Sequence, residues 1–235
     1  MIDHYDWAGG REAMLRFGPD TGPVVIAAMP LFEEANRTRA FIVTILRALA
    51  AQGIASALPD LPGTGESLIE TEHASINIWN AAFSSVAQHF DPGSRPVHAI
   101  AVRGGALVDA TAPVASRWHF APVAGEGLVR DLLRARLAAT KESGEAIETE
   151  MMAPPGPSIE LAGNRLSRAL VEELEHSIPL DRPPLRIVRL DTDTQPADRH
   201  VAGAPLWRRS EPGNDADLAC LLADDIAAWI ATCAG

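Results

Sequence analysis

The segment of this sequence most typical of a reactive centre is a tight turn at Arg103-Gly104-Gly105. The turn follows the apolar run Val97–Val102, a predicted strand, and precedes Gly104–Ala112, a predicted helix. A strand, a sharp turn and a helix form a nucleophile elbow, where small residues flank an exposed nucleophile. Arg103 occupies the central position here. Because a guanidinium stays protonated and only donates hydrogen bonds, Arg103 can neither attack a carbonyl nor accept a proton.

One role open to Arg103 is the capture of an anion. The turn would place its side chain at a helix N-terminus, at the mouth of a crevice. The backbone N–H groups of Gly104 and of the loop Pro30, Leu31 and Phe32 would lie nearby. Together these donors would suit a carboxylate, phosphate or sulfate.

The other role is an ion pair with Glu33 or Glu34, which belong to the loop expected opposite the turn. We favour this pairing, because two carboxylates are an obvious counter-charge for Arg103. Both glutamates are also candidate general bases that could activate water. A paired carboxylate is expected to have a lowered pKa, which makes it a poor base near neutral pH.

The elements that must position this turn alternate between strands and helices. Such alternation predicts an α/β fold with a doubly wound, mostly parallel sheet, whose ligand crevice lies beyond the carboxyl ends of the strands. The predicted strands are Val24–Met29, Ala55–Leu58, Val97–Val102, Arg117–Ala121 and Leu185–Leu190. The predicted helices, besides Gly104–Ala112, are Thr38–Gln52, Ile76–Phe90, Glu126–Thr140, Leu166–His176 and a C-terminal helix that contains Leu218 and Ile230.

A long segment separates the last two predicted strands. It has about 60 residues, many more than an ordinary crossover needs. We therefore predict that residues 124–182 form a helical cap or lid within a single domain spanning residues 1–235.

Two further segments carry a resemblance to a known family. Met29–Arg37 and Leu58–Ser67 look like the oxyanion loop and the following strand and turn of α/β-hydrolases. More narrowly, they resemble the exosortase A system-associated hydrolase 2 family, cytoplasmic proteins linked to PEP-CTERM protein sorting and exopolysaccharide. The resemblance implies an α/β-hydrolase fold with a helical lid before the penultimate or last strand. It continues through Phe120–Glu126, Leu132–Leu137, Leu161–Leu166 and Leu206–Pro212.

The resemblance also gives positions for a catalytic triad, and the triad is degenerate. An arginine at the elbow matches the family's own pattern. Asp191 and Asp193 stand where the superfamily's acid normally lies, and Pro205 falls at the position of the catalytic histidine. His200, five residues before Pro205, is a substitute if it swings into the site. Trp207 is expected to line the cap or the crevice, and Ser67 is expected to cap a helix rather than act as a nucleophile.

Composition excludes several classes of function. With 31 acidic and 20 basic side chains, the formal net charge is −11, which argues against a nucleic-acid partner. The apolar runs are too short for a membrane span, and the first residues do not resemble a signal peptide. Cys220 and Cys233 would lie about 20 Å apart along one helix, too far for a disulfide. We expect a reduced cytoplasmic protein, and predict no cofactor and no metal site.

Three hypotheses follow. The first is a non-catalytic or atypical α/β-hydrolase-fold protein that binds a small anionic or acyl ligand, in an exosortase or exopolysaccharide context. The second is an ester or thioester hydrolase in which Glu33, Glu34 or His200 activates water and Arg103 stabilises the oxyanion. The third is an interaction module whose lid docks a protein partner.

Overall fold

The structure is a computed structural model that describes residues 1–91, 95–143 and 156–233 of the 235-residue chain. Its main feature is an eight-stranded sheet with the strand order β1-β2-β4-β3-β5-β6-β9-β10, while β7 and β8 form a separate antiparallel hairpin. β1 and β2 are antiparallel to each other, β2 is antiparallel to β4, and the remaining pairs are parallel. The strands are β1 Ile2–Trp7, β2 Gly10–Phe17, β3 Val24–Ala28, β4 Ala55–Pro59, β5 Val97–Val102, β6 Ser116–Phe120, β7 Ile159–Leu161, β8 Asn164–Leu166, β9 Leu185–Leu190 and β10 Arg199–Val201.

Helices cover both faces of this sheet because its central strands are apolar on both faces. Successive residues of β3 point to opposite sides, so Ile26 packs with α2, α3 and α4 whereas Val25 packs with α1 and α5. The helices are α1 Glu33–Ala51, α2 Ile76–Phe90, α3 Gly125–Ser143, α4 Arg168–His176 and α5 Ala216–Cys233. Among the described residues, no helix combines the length and the apolar character that crossing a membrane requires.

The predicted fold class is confirmed, and the five predicted strands are present with shifts of one residue at some ends. Two helices differ from the prediction by more than three residues at one end. The helix expected over Gly104–Ala112 is a short 3₁₀ helix at Arg103–Leu107, because two glycines weaken a helix and Pro113 soon follows. α1 begins at Glu33 rather than Thr38, since acidic residues in the first turn favour a helix N-terminus.

The segment between β6 and β9 contains α3, the β7–β8 hairpin and α4. It therefore precedes the penultimate strand of the sheet, which was one of the two predicted positions for an insertion. Residues 144–155 of the predicted lid lie outside the described part of the chain. The turn of the hairpin reaches the carboxyl ends of the central strands, where Asn164 contacts Glu33 of α1.

Candidate functional site

The turn after β5 has a strained backbone. Arg103 has a φ of 55°, a left-handed value that is uncommon for a residue with a side chain. Gly105 lies so close to the end of β3 that an added Cβ would be 2.5 Å from the carbonyl oxygen of Ala28. Strained residues of this kind cluster at functional sites. Phe32 and Ala121, which follow β3 and β6, also have positive φ values, 59° and 48°.

The Arg103 side chain is engaged by the protein itself. Its Nε donates to both carboxylate oxygens of Glu34, at 3.3 and 3.2 Å, and its Nη2 donates to Oε1 at 3.0 Å. Its Nη1 donates to the carbonyl oxygen of Ala121 at 3.4 Å. The guanidinium carbon lies 4.8 Å from the ring centroid of Trp207, within cation–π distance. Each guanidinium nitrogen of Arg103 thus has an acceptor within the protein.

The expectation that pairing lowers the pKa of Glu34 was wrong. Its side chain is only 13% exposed, and this burial raises the pKa above its ordinary value, although Arg103 partly offsets the effect. Removing the carboxylate from water outweighs the attraction of its partner, as is common for buried ion pairs. Pairing alone therefore does not make Glu34 a weak base.

Glu33 faces a different partner from its neighbour in the sequence. Its Oε1 accepts a hydrogen bond from Nδ2 of Asn164, at 3.0 Å, in the β7–β8 hairpin. Burial also raises the pKa of Glu33. Two consecutive residues of a helix point in directions about 100° apart, so one carboxylate reaches the elbow and the other reaches the hairpin.

A cavity of about 580 Å³ lies beside the elbow, at the carboxyl ends of β3 and β4. It is bounded by the start of α1, the loop that follows β4 and the turn of the hairpin. Phe32 and Trp79 meet edge to face on its apolar side, with ring centroids 6.1 Å apart. The larger apolar lining residues are Met29, Pro30, Leu31, Phe32, Leu61, Ile69 and Trp79, and the polar lining is Asn36, Arg39, Asp60, Thr64, Ser67, Glu70, Thr71, Glu72, Asn164 and Arg165.

The loop after β4 is held by Ser67. The Ser67 hydroxyl accepts from the backbone N–H groups of Gly63 and Ile69, at 3.0 and 3.2 Å. It donates to Oε1 of the buried Glu12 at 3.0 Å. Ser67 therefore braces a loop, and the prediction of a helix cap was wrong because the chain turns instead of entering a helix here.

Arg39 is one of two arginines that line this cavity, and the other, Arg165, is paired with Glu72 at 2.8 Å. Its Nη1 donates to Oδ1 of the buried Asp60 at 3.4 Å, and its side chain is 41% exposed. Within the described residues, the other two guanidinium nitrogens of Arg39 have no hydrogen-bond partner. Arg39 thus keeps donors for a ligand, whereas every nitrogen of Arg103 is already engaged.

A second cavity, about 420 Å³, lies between the start of α1 and α3. Glu33, Glu34 and Trp207 are among its lining residues. It gives water and small molecules access to the two glutamates from outside the elbow.

The residues predicted for the acid and histidine positions do not form a dyad. Asp191 is exposed, and Asp193 accepts from Nη1 of Arg189 at 2.8 Å. Burial acts to raise the pKa of Asp193, but the hydrogen bonds from the Gln195 N–H and from Arg189 hold it below its ordinary value. His200 is exposed on β10, with Nε2 3.2 Å from the carbonyl oxygen of Gln195. Within the described chain, no hydrogen bond joins His200 to either aspartate.

The loop after β10 does reach the elbow. Pro205 precedes the 3₁₀ helix Leu206–Arg208, which places the indole of Trp207 over Arg103. The carbonyl oxygen of Trp207 accepts from Nη1 of Arg37 at 3.1 Å, which fixes this loop to α1. The loop therefore places the indole of Trp207, and not a histidine side chain, against Arg103.

One group of metal-ligand side chains lies near the rim of the cavity. Ligand atoms of Glu70, Glu72 and His73 lie within 4.8 Å of one another. Glu72 is already paired with Arg165 at 2.8 Å. We assign no metal to this group.

Comparison with solved structures identifies the fold. No family profile and no curated protein matches this sequence. DcsB, solved with its substrate analogue, is 14% identical, with a TM-score of 0.63 over 100% of this chain and 99% of that chain. The chain has an α/β-hydrolase fold. Mouse alpha/beta hydrolase domain-containing protein 10 is 15% identical, with a TM-score of 0.61 over 99% of each chain. The esterase domain of a Rhodothermus marinus protein is 20% identical, with a TM-score of 0.59 over 97% and 96%.

Three residues of the cavity carry no motif and were missed from the sequence. Arg39 and Asp60 are 21 residues apart, and Asn164 comes from the inserted segment. The turn Pro59–Gly65, rich in proline and glycine, was the available signal. It marks a loop at the end of a buried strand, where ligands of α/β sheets commonly bind.

Proposed function

We propose that this α/β-hydrolase-fold protein is a non-catalytic binding protein that takes a small anionic or acyl ligand. The observation that carries the proposal is the guanidinium of Arg103, in which each nitrogen already has an acceptor and Glu34 is the ion-pair partner. An arginine in this state supplies neither a nucleophile nor a base.

The ligand site proposed is the cavity of about 580 Å³ at the ends of β3 and β4. Arg39 provides a partly exposed cation, and the apolar side formed by Leu31, Phe32 and Trp79 provides a surface for hydrocarbon. A carboxylate on a short acyl chain matches both features, since arginine binds carboxylates through two parallel hydrogen bonds.

Residues 124–182 act in this proposal as the lid. The hairpin turn contributes Gly163 and Asn164 to the cavity lining, and the Asn164 amide is tied to Glu33. A second tie, the ion pair of Arg165 with Glu72 at 2.8 Å, holds the hairpin to the segment after β4. The lid surface is also the proposed contact for a protein partner.

The cellular context proposed is the cytoplasmic side of an exosortase or exopolysaccharide system. It rests on the resemblance of Met29–Arg37 and Leu58–Ser67 to the hydrolase 2 family. These two segments form much of the cavity wall.

The test combines binding with a search for catalysis, using octanoate as the probe. We expect calorimetry to show saturable octanoate binding that Arg39→Ala weakens about tenfold. Arg47→Ala, which removes an exposed arginine elsewhere on α1, should bind like the wild type. The wild type should also show neither a burst from p-nitrophenyl butyrate nor labelling by a fluorophosphonate. Burst release together with labelling would show that the protein is an enzyme and overturn the proposal.

A second candidate function is a hydrolase in which Glu33 or Glu34 activates water. It is favoured by the raised pKa values of both glutamates, which burial produces. Such an enzyme would turn over esters or thioesters at a rate that Glu34→Gln or Arg103→Ala abolishes. An absence of turnover between pH 5 and 9 would exclude it.

A further inference from the structure

A third cavity, about 520 Å³, lies at the opposite edge of the sheet from the elbow. It is formed where the chain enters β6 and β9, at the amino ends of these neighbouring parallel strands. The segment Ala110–Val114 lines one side, and Leu180 and Arg182 line the other. The length of β6 separates this cavity from the proposed ligand site.

Arg117 forms the inner wall of this cavity and is held firmly. Its Nη2 donates to the carbonyl oxygens of Asp109 and Ala112, at 2.9 and 2.8 Å, and its Nε donates to that of Asp109 at 3.3 Å. The side chain is 10% exposed. Its Nη1 has no hydrogen-bond partner among the described residues. One donor nitrogen of a fixed, buried guanidinium is therefore available to a ligand.

Arg182 supplies a second positive charge. It is exposed and lines the cavity, and it has no ion pair within the described residues. Burial lowers the pKa of Arg117, Asp109 raises it, and the charge of Arg182 lowers it. The two arginines thus repel each other across the cavity, and an anion between them would relieve that repulsion.

Nearby carboxylates compensate the positive charge of the two arginines only in part. The Asp109 carboxylate lies 3.7 Å from Nε of Arg117, but it also holds the imidazole of His119 at 2.8 Å. No acidic side chain is among the described residues that line the cavity.

We propose that this cavity is a second binding site, for a small oxyanion of the phosphate or carboxylate class. Nη1 of Arg117 acts as the fixed donor, and the exposed guanidinium of Arg182 closes over the anion from the opposite side. The segment Ala110–Val114 is a rigid wall because Thr111 is bonded to α2, with its N–H 3.4 Å from Oδ1 of Asn80.

The experiment titrates inorganic phosphate into the full-length protein by calorimetry, at constant ionic strength. We expect saturable binding with a Kd on the order of 1 mM for the wild type. Arg182→Ala should weaken it about tenfold, and Arg182→Lys should retain part of it. Leu180→Glu, which adds a carboxylate beside the arginines, should abolish it. Acetate in place of phosphate distinguishes a carboxylate ligand from a phosphate ligand.

A control variant and a competing-site variant locate the site. Arg47→Ala removes an exposed arginine on α1 and should bind phosphate like the wild type. Arg39→Ala removes an arginine that lines the larger cavity, so a loss of phosphate binding confined to this variant would place the anion there. Circular dichroism should show every variant folded. The proposal is overturned if the wild type shows no saturable binding, if Arg182→Ala and Leu180→Glu bind as tightly as the wild type, or if Arg39→Ala alone loses binding.

Discussion

The elbow and the neighbouring cavity lie on the same edge of the sheet, yet their arginines are used differently. Arg103 directs its guanidinium at Glu34 and the Ala121 carbonyl group, beneath Trp207. Arg39 makes one long hydrogen bond with Asp60 and remains 41% exposed. The comparison indicates that one arginine stabilises the protein while the other is available to bind. The arginine at the predicted nucleophile position is thus paired with a buried carboxylate.

The same contrast appears at the adjacent residues Glu33 and Glu34. Glu34 is tied to the elbow, and Glu33 is tied to the hairpin turn at the cavity. Variants at the elbow are therefore expected to change the stability of the protein, and variants at the cavity are expected to change ligand binding.

The largest expected effect is on the elbow. Replacing Arg103 with Met leaves the Glu34 carboxylate buried without its cation. We expect the free energy of unfolding in urea to fall by about 3–5 kcal/mol, as when one partner of a buried ion pair is removed. Adding Glu34→Gln to the same chain should recover much of this loss. A fall of less than about 1 kcal/mol for the single variant would mean that the pair is not structural.

Gly105→Ala tests how tightly the elbow is packed. The added Cβ would lie 2.5 Å from the Ala28 carbonyl oxygen, a backbone atom that has little room to move. We expect a loss of about 2–3 kcal/mol in the same urea assay, typical of overpacking. A variant as stable as the wild type would contradict the close approach of the turn to β3.

Gly65→Ala is the matched change at the cavity. Gly65 has a φ of 57°, and an added Cβ would lie 2.3 Å from Oδ1 of Asp60. Because the left-handed φ strains an alanine and the buried Asp60 carboxyl group must shift, we expect a stability loss of about 1–2 kcal/mol. The displaced Asp60 should release Arg39 from its ion pair and change the affinity for octanoate measured by calorimetry. An unchanged affinity would argue against this cavity as the site.

Glu33→Gln should have the smallest effect, and it should depend on pH. The folded pKa of Glu33 is raised, so its contribution to stability is present below the ordinary pKa of 4.5 and is lost as pH rises through the folded pKa. Glutamine does not titrate. The variant should therefore match the wild type below pH 4.5 and become the more stable of the two as pH rises through the folded pKa of Glu33. Urea unfolding at several pH values checks this, and a difference that grows toward low pH would contradict it.

The sequence predicted much of the fold and one part of the site. The apolar runs gave the five strands from β3 to β9 of the sheet, because strands buried on both faces are continuous in sequence. β1 and β2 were missed, since their apolar residues alternate with charged ones. The turn at Arg103 was found because the elbow is a local motif.

The remaining site residues depend on contacts that sequence patterns do not encode. Choosing between Glu33 and Glu34 as the partner of Arg103 requires the rotational phase of α1, and that helix was predicted to start at Thr38. Asn164 is 131 residues from Glu33 in the chain. Nothing in the sequence predicted the positive φ of Phe32 either, because glycine is the residue that usually marks such a conformation.

The most direct test compares octanoate binding by the wild type, Arg39→Ala and Arg103→Met in one calorimetric series, at a temperature where all three are folded. We expect Arg39→Ala to lose about tenfold in affinity and Arg103→Met to bind like the wild type. The reverse pattern, with binding lost in Arg103→Met and kept in Arg39→Ala, would show that the ligand binds at the elbow and would contradict the account.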